Sequence, residues 1–231
     1  MEVTPRPAAT LLLIRPGKIG LEVLMVERPA RGFFGGLWVF PGGGVDAIDD
    51  SADARLAVDM PEDCDDFPWR AAALRETLEE VGLALTDSPL PGPLLGPGGD
   101  IYLRLSQRGI RLDGRRLRLL SQWVTPTGAP TRFDARFYLA RVAGDPDLVL
   151  QQDEIVSHAW VTPRSALERV EANEWAMVTP TIIHLQWLDR FPDIDQAWQA
   201  AVDATGSRVE PILERDGSEV RVRLPAAAGL P

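Results

Sequence analysis

A nine-residue run, Arg75-Glu76-Thr77-Leu78-Glu79-Glu80-Val81-Gly82-Leu83, constrains the fold of this chain more than any other segment. With successive residues turning by about 100°, Glu76, Glu79 and Glu80 fall within one arc of about 100°, and Leu74, Leu78 and Val81 gather opposite. The pattern predicts the second half of a helix over about 69–81, closed by Gly82. The apolar side of that helix needs a hydrophobic layer to lie on. Its acidic side needs a reason to exist, because like charges at this spacing destabilise a helix by a few tenths of a kcal/mol per pair. A hard divalent cation, magnesium or manganese, would supply one. The plainer alternative is a solvated acidic face with Arg75 pairing to Glu79 one turn on. Ala72, on the acidic face, is small enough to leave room for a ligand.

The supporting layer is legible elsewhere. Residues 8–14 and 21–26 read as buried strands of a hairpin, and the apolar run 37–40 leads to Pro41-Gly42-Gly43-Gly44, a loop able to present bare backbone. Further strands are expected at 119–125, 136–142 and 156–161. Helices are expected at 52–58, 101–107, 163–171, 181–190 and 194–204. Residues 89–99 read as a connector, and 208–214 with 218–224 flank Asp216-Gly217, a two-residue hairpin signal. Interleaved strands and helices imply an α/β domain. With 231 residues and 45% apolar content, one enlarged domain over 1–231 is expected.

Composition removes several function classes. The net charge of −10, with no basic stripe, disfavours nucleic acid as a partner. A small phosphate-bearing substrate stays compatible, since a cation and a few arginines can invert the field of an acidic site. Cys64 is the only cysteine, so any metal must find oxygen ligands; its acidic neighbours Glu62, Asp63, Asp65 and Asp66 argue against a reactive thiolate. His158 and His184 lie apart from any nucleophile motif and read as structural. No apolar run approaches the roughly 20 residues of a membrane span, and the first residues lack a secretory pattern, so a cytoplasmic protein is expected.

The two halves of the glycine-glutamate pattern resemble the Nudix hydrolase family, whose signature runs from a glycine through a glutamate to Arg-Glu-aliphatic-x-Glu-Glu-x-Gly-aliphatic. Arg75 to Leu83 match the second half except at Thr77, and Pro41 to Asp46 match the entry. Five residues on from Gly43 the sequence departs from the family: the next residue, Asp49, stands where a glutamate is usual, and about 50–68 read as an acidic surface insertion inside the motif. Trp38-Val39-Phe40-Pro41-Gly42-Gly43, Trp123-Val124-Thr125-Pro126 and Arg132-Phe133-Asp134 are similar to the peroxisomal coenzyme A diphosphatase branch. The C-terminal Gly229-Leu230-Pro231 lacks a peroxisomal address, which keeps the expectation cytoplasmic.

The resemblance implies a Nudix α/β/α sandwich with a mixed β-sheet, to which the residue patterns add a helical and hairpin extension over about 179–224. It also implies a diphosphatase that uses metal-activated water on a nucleotide-diphosphate small molecule. Glu79 and Glu80 would be principal ligands of Mg2+ or Mn2+, Glu76 a further ligand or the base, and the Gly43 carbonyl a last ligand. Arg75 would hold the cluster by a salt bridge, and Glu154, or Asp153 beside it, would be an additional acidic group near it. Coenzyme A or acyl-CoA is the first substrate expectation. ADP-ribose or dinucleotide hydrolysis, isomerisation of a diphosphate-bearing substrate and a non-catalytic ligand-binding sensor are the alternatives. The sequence leaves the oligomeric state open, a homodimer among its options. Arg132 and Phe133 fit a strand-edge salt bridge and a core aromatic better than a phosphate contact and a stacking surface.

Overall fold

The computed structural model describes residues 3–31, 35–86, 100–204, 206–216 and 219–225. The chain opens with β1 (Arg6–Pro16), β2 (Leu21–Glu27), β3 (Trp38–Val39) and β4 (Gly42–Gly44), then a 3-10 turn at Ala47–Asp50. Next come α1 (Ala52–Ala57), β5 (Val58–Asp59), α2 (Phe67–Val81), α3 (Ile101–Gln107) and β6 (Leu112–Asp113). A second 3-10 turn (Gly114–Arg116) leads to β7 (Arg118–Val124), β8 (Phe133–Arg141), β9 (Ser157–Val161) and α4 (Pro163–Glu171). The last elements are α5 (Thr179–Leu188), α6 (Ile194–Asp203), β10 (Ser207–Val209), β11 (Ile212–Asp216) and β12 (Glu219–Arg223).

Eight strands form one mixed sheet in the order β10-β7-β8-β1-β2-β3, with β4 added to β1 and β9 to β2. Strand β1 lies parallel to β8 and antiparallel to β2 and β4. Its near-continuous apolar run is that of a strand buried on both faces. Ala9, Leu11 and Leu13 face the layer of α1, α2 and α3, while Leu12 and Ile14 face that of α4, α5 and α6. Each fully buried leucine contributes roughly 1.5–3 kcal/mol. The expected α/β/α sandwich with a mixed sheet is the observed architecture. Among the described residues no helix is long and apolar enough to cross a membrane.

The structure corrects several expectations. The glycine run is an edge strand, because Gly42–Gly44 pair with Thr10, Ala9 and Ala8, so its backbone is partly used in the sheet. The stretch 208–214 is not one hairpin arm: it divides at Glu210-Pro211, β10 joining β7 in parallel and β11 pairing with β12. Proline has no N–H to continue a ladder, which accounts for the break. The stretch 50–68 is more than a surface excursion, since Ala54, Ala57, Val58, Asp66 and Phe67 are buried in it. Ala72 leaves no ligand space, being fully buried in the core beneath α2. The connector at 89–99 and the hairpin tip at 217–218 lie outside the described residues.

Candidate active site

Helix α2 begins with Pro68 in its first turn and ends on Gly82 at φ 71°, a left-handed conformation that glycine adopts without strain. It is buried around most of its circumference, with Glu80 only 1% exposed, so the acidic face does not point into bulk water. Two elements cover that face. One is β4: the Gly42 N–H donates to Glu80 Oε2 at 2.9 Å, and a β-carbon at Gly43 would collide with the Glu76 carboxylate. The other is the loop after β8, tied down where the N–H groups of Val149 and Gln151 donate to the carbonyls of Val81 and Glu80, both at 2.9 Å. That loop carries exposed Glu154 onto the helix, and one oxygen each of Glu76, Glu80 and Glu154 lies within 4.8 Å of the others.

Arg75 organises the negative charge behind this trio. Its Nε and Nη2 donate to the two oxygens of Asp49 at 2.8 and 3.0 Å, and its Nη1 donates to Glu76 at 2.9 Å and Glu79 at 2.8 Å. A further bond runs from Nη2 to the Gly44 carbonyl at 2.9 Å, fixing β4 against the helix. Burial alone would push the guanidinium pKa down, but Asp49, Glu76 and Glu79 outweigh it and keep the group charged.

The structure therefore brings Glu76, Glu80 and Glu154 together and sets Glu79 apart, on Arg75 with its side chain 37% exposed. Arg28 was not singled out by sequence: its Nη1 lies 3.1 Å from Glu80 Oε1, and its Nη2 donates to the Gly42 carbonyl at 3.2 Å. Asp49 does reach the helix, fully buried, despite its shorter side chain. The 3-10 turn carries it there, fixed by a bond of 2.7 Å from the Asp46 N–H to Asp49 Oδ2.

Burial raises Glu76 to about 7 against the pull of Arg75, and raises Glu80 to about 8 against Arg28 and the Gly42 N–H, with the neighbouring carboxylates adding to both. Glu80 Oε1 is buried without an aligned hydrogen bond, its contact with Arg28 being an ion pair alone. A converging set of oxygens with uncompensated negative charge fits a hard divalent cation.

These shifts set a pH dependence. Folded Glu76 and Glu80 hold their protons more tightly than the unfolded chain does, so the stability they contribute is full at low pH and lost as pH rises through their folded values. With chelator present, this pair should lower the melting temperature between about pH 5 and pH 8, and millimolar Mg2+ should remove most of that fall. Differential scanning fluorimetry across the window checks it; Mg2+ without effect at pH 8 would contradict it.

On the far side of β4 lies a cavity of about 700 Å³, edged by Arg28 and Gly42–Gly44. Phe40, Trp123, Phe133 and Phe137 form its aromatic wall, and Met177, Pro180, Pro211 and Leu213 close it from the C-terminal elements. Strand β4 puts no side chain between cavity and carboxylates. Arg132, by contrast, is structural: its Nε donates to Thr125 O at 2.9 Å and its Nη2 to Glu210 at 3.0 Å, tying the β7–β8 turn to the extension. Phe133 lines the cavity instead of filling the core. His184 is wholly buried between Ser121 and the Pro180 carbonyl, its pKa pushed down to about 4 by burial, which suits a structural role. Cys64 is half-buried against Asp66, and burial raises its thiol pKa.

A three-layer sandwich with a carboxylate-bearing helix behind a glycine strand defines a recognisable class. The sequence profile of the NUDIX domain matches residues 4–179, and the chain belongs to that family. Among solved structures, it is similar to a NUDIX hydrolase from Alicyclobacillus acidocaldarius, with 35% identity and a TM-score of 0.72, covering 85% of this chain and 96% of that one. Among curated proteins, it is similar to acyl-coenzyme A diphosphatase NUDT19 of Homo sapiens, 28% identical across 78% of this chain and 63% of that protein. The NUDT19 of Gallus gallus is 26% identical across 81% and 66% respectively. The chain thus spans slightly under two thirds of the length of these curated relatives.

Proposed function

We propose that this chain hydrolyses the diphosphate linkage of a nucleotide-derived small molecule, with coenzyme A or an acyl derivative as the preferred substrate class. The observation that carries the reading is the Glu76, Glu80 and Glu154 cluster, charge-rich and incompletely bonded, beside an apolar cavity edged by Arg28 and the glycine backbone of β4. Glu76, Glu80 and Glu154 would hold Mg2+ or Mn2+, with Glu79 and the Gly43 carbonyl as the further oxygen ligands that the motif implies. When bound, the cation neutralises phosphate charge and lowers the pKa of the attacking water.

The remaining work falls to the protein. The Glu76 carboxylate, oriented by Arg75, would accept the proton of the attacking water. Water oxygen bonds to one phosphorus as the bridging P–O bond breaks, leaving a phosphate on each product. Arg75 keeps Glu76 and Glu79 oriented, and Arg28, reaching both Glu80 and the cavity, would meet a phosphate oxygen. The cavity's aromatic and aliphatic walls suit the apolar part of an acylated substrate, in keeping with the names of the two diphosphatases above.

The test is a panel of coenzyme A, acyl-CoA, ADP-ribose, dinucleotides and nucleoside triphosphates with Mg2+ or Mn2+, products identified by mass. The expected result is adenosine bisphosphate together with phosphopantetheine or its acyl derivative, at the highest kcat/KM of the panel. A clear preference for ADP-ribose or a dinucleotide would overturn the substrate class while leaving the hydrolase. Binding without metal-dependent cleavage would overturn the hydrolase in favour of a sensor.

A further inference from the structure

We propose that Tyr102, which lies outside the glycine-glutamate motif, is a positioning residue for the carboxylate cluster, acting through Asp49 and Arg75. This rests on the reading that the cluster holds a divalent cation.

The Tyr102 hydroxyl donates to Asp49 Oδ1 at 2.6 Å, and both residues are fully buried. Asp49 has a complete set of donors: Tyr102, two nitrogens of Arg75 and the Asp46 N–H. Without Tyr102, Oδ1 would keep Arg75 Nε alone while Oδ2 keeps Arg75 Nη2 and the Asp46 N–H, so the carboxylate would stay on Arg75 but lose one of the four donors that fix its placement. Arg75 would then pair with a less firmly placed carboxylate, which loosens the orientation of the fork that holds Glu76 and Glu79 at 2.9 and 2.8 Å. Burial, then Asp49, push the Tyr102 phenol pKa well up, so it remains a donor at any working pH.

The origin of this link is instructive. Tyr102 sits on α3, which packs against α1, and α1 in turn contacts the 3-10 turn that bears Asp49. The inserted segment and the helix after the motif therefore together support the turn that carries Asp49 against α2. Where a longer carboxylate would span to the arginine unaided, Asp49 is carried inward by its turn and held by a phenol from a third element.

The test uses the full chain and Mn2+ alone, followed by calorimetry, with Tyr102→Phe as the variant because it removes one oxygen and keeps the ring. The expected result is Mn2+ affinity weakened about tenfold, the usual scale for a hydrogen bond to a charged group. With coenzyme A as substrate, kcat should fall by a similar factor at saturating metal while KM stays within about twofold. Leu105→Ala, a buried residue of the same helix with no hydrogen bond to Asp49, is the control: it should lower the melting temperature and leave Mn2+ affinity within about twofold. Asp49→Asn cuts the relay at its next link with Tyr102 in place, and should weaken Mn2+ at least as much as Tyr102→Phe. Unchanged affinity in Tyr102→Phe, or an equal loss in Leu105→Ala, would overturn the proposal while the wild-type site stands. A wild-type chain that binds no Mn2+ would overturn this proposal and its parent reading together.

Discussion

Replacing Glu80 by glutamine is expected to lower kcat/KM about a thousandfold, the scale set by several kcal/mol of lost charge stabilisation, in a protein that still folds. The side chain is 1% exposed and fits its site closely. A glutamine carbonyl can take over the Gly42 N–H bond now made by Oε2, so β4 should keep its place. Its amide NH2 would stand where Oε1 now meets Arg28 and would repel that guanidinium. No charged oxygen would then remain at this position. Because Glu80 is raised to about 8 by burial, its ionised form is a liability in the metal-free fold, and the variant should melt no lower than wild type in chelator. The stabilisation by Mg2+ should be the property that disappears. Activity within tenfold of wild type, in a folded Glu80→Gln protein, would remove Glu80 from the metal site.

Arg75→Met should be the most destabilising single change in this region. The guanidinium is 4% exposed and faces Asp49, Glu76 and Glu79, with Asp46 at 3.8 Å. Methionine fills comparable space but strands buried carboxylates, and breaking a buried ion pair from one side costs about 3–5 kcal/mol. For a domain of this size that lowers the melting temperature by roughly 10 °C. The deficit should shrink as pH falls toward 5, where the stranded groups can take up protons. Lysine should recover less than half, because one ammonium cannot serve Asp49 with two parallel bonds and still reach both glutamates. Thermal melts at pH 5 and 7.5 decide it: a loss that is small, or that grows at low pH, would mean that Arg75 is not the charge anchor.

The parts of the site carried by one helix were legible because helical periodicity is local. Glu76 and Glu80 needed no knowledge of the sheet to be placed on one face. Glu154 was legible only as a position in the motif's downstream spacing, since its approach depends on backbone bonds from Val149 and Gln151 to the helix end. Asp49 was obscured because 26 residues separate it from Arg75, and sequence distance says nothing about a turn that folds back. Arg28 and Tyr102 carried no signal at all: an arginine after a strand and a tyrosine on a short helix are ordinary until β4 and the 3-10 turn bring their partners. The same reason accounts for Ala72 and the inserted segment. Small residues read as clearance and acidic stretches as solvent-facing, whereas Ala72 lies in the core and the inserted segment buries Ala54, Ala57, Val58, Asp66 and Phe67 while Glu62, Asp63 and Asp65 stay exposed. Strand β10 was likewise hidden, its pairing with β7 spanning from Ser207 to Ser121.

The two edges of β1 mature at different moments of synthesis. On one edge its partners, β2 and β4, are complete by residue 44, so a translating ribosome releases them well before β8. On the other edge nine residues, Arg6 to Ile14, wait for β8, whose register ends at Arg141. Until then the nascent chain carries an apolar strand with an open ladder, the kind of template that recruits foreign strands. Parallel pairing across such a separation is slow, because the closure entropy is spent before any contact forms. The central strand of the finished enzyme is therefore a segment that chaperone cover would protect while the chain is being made.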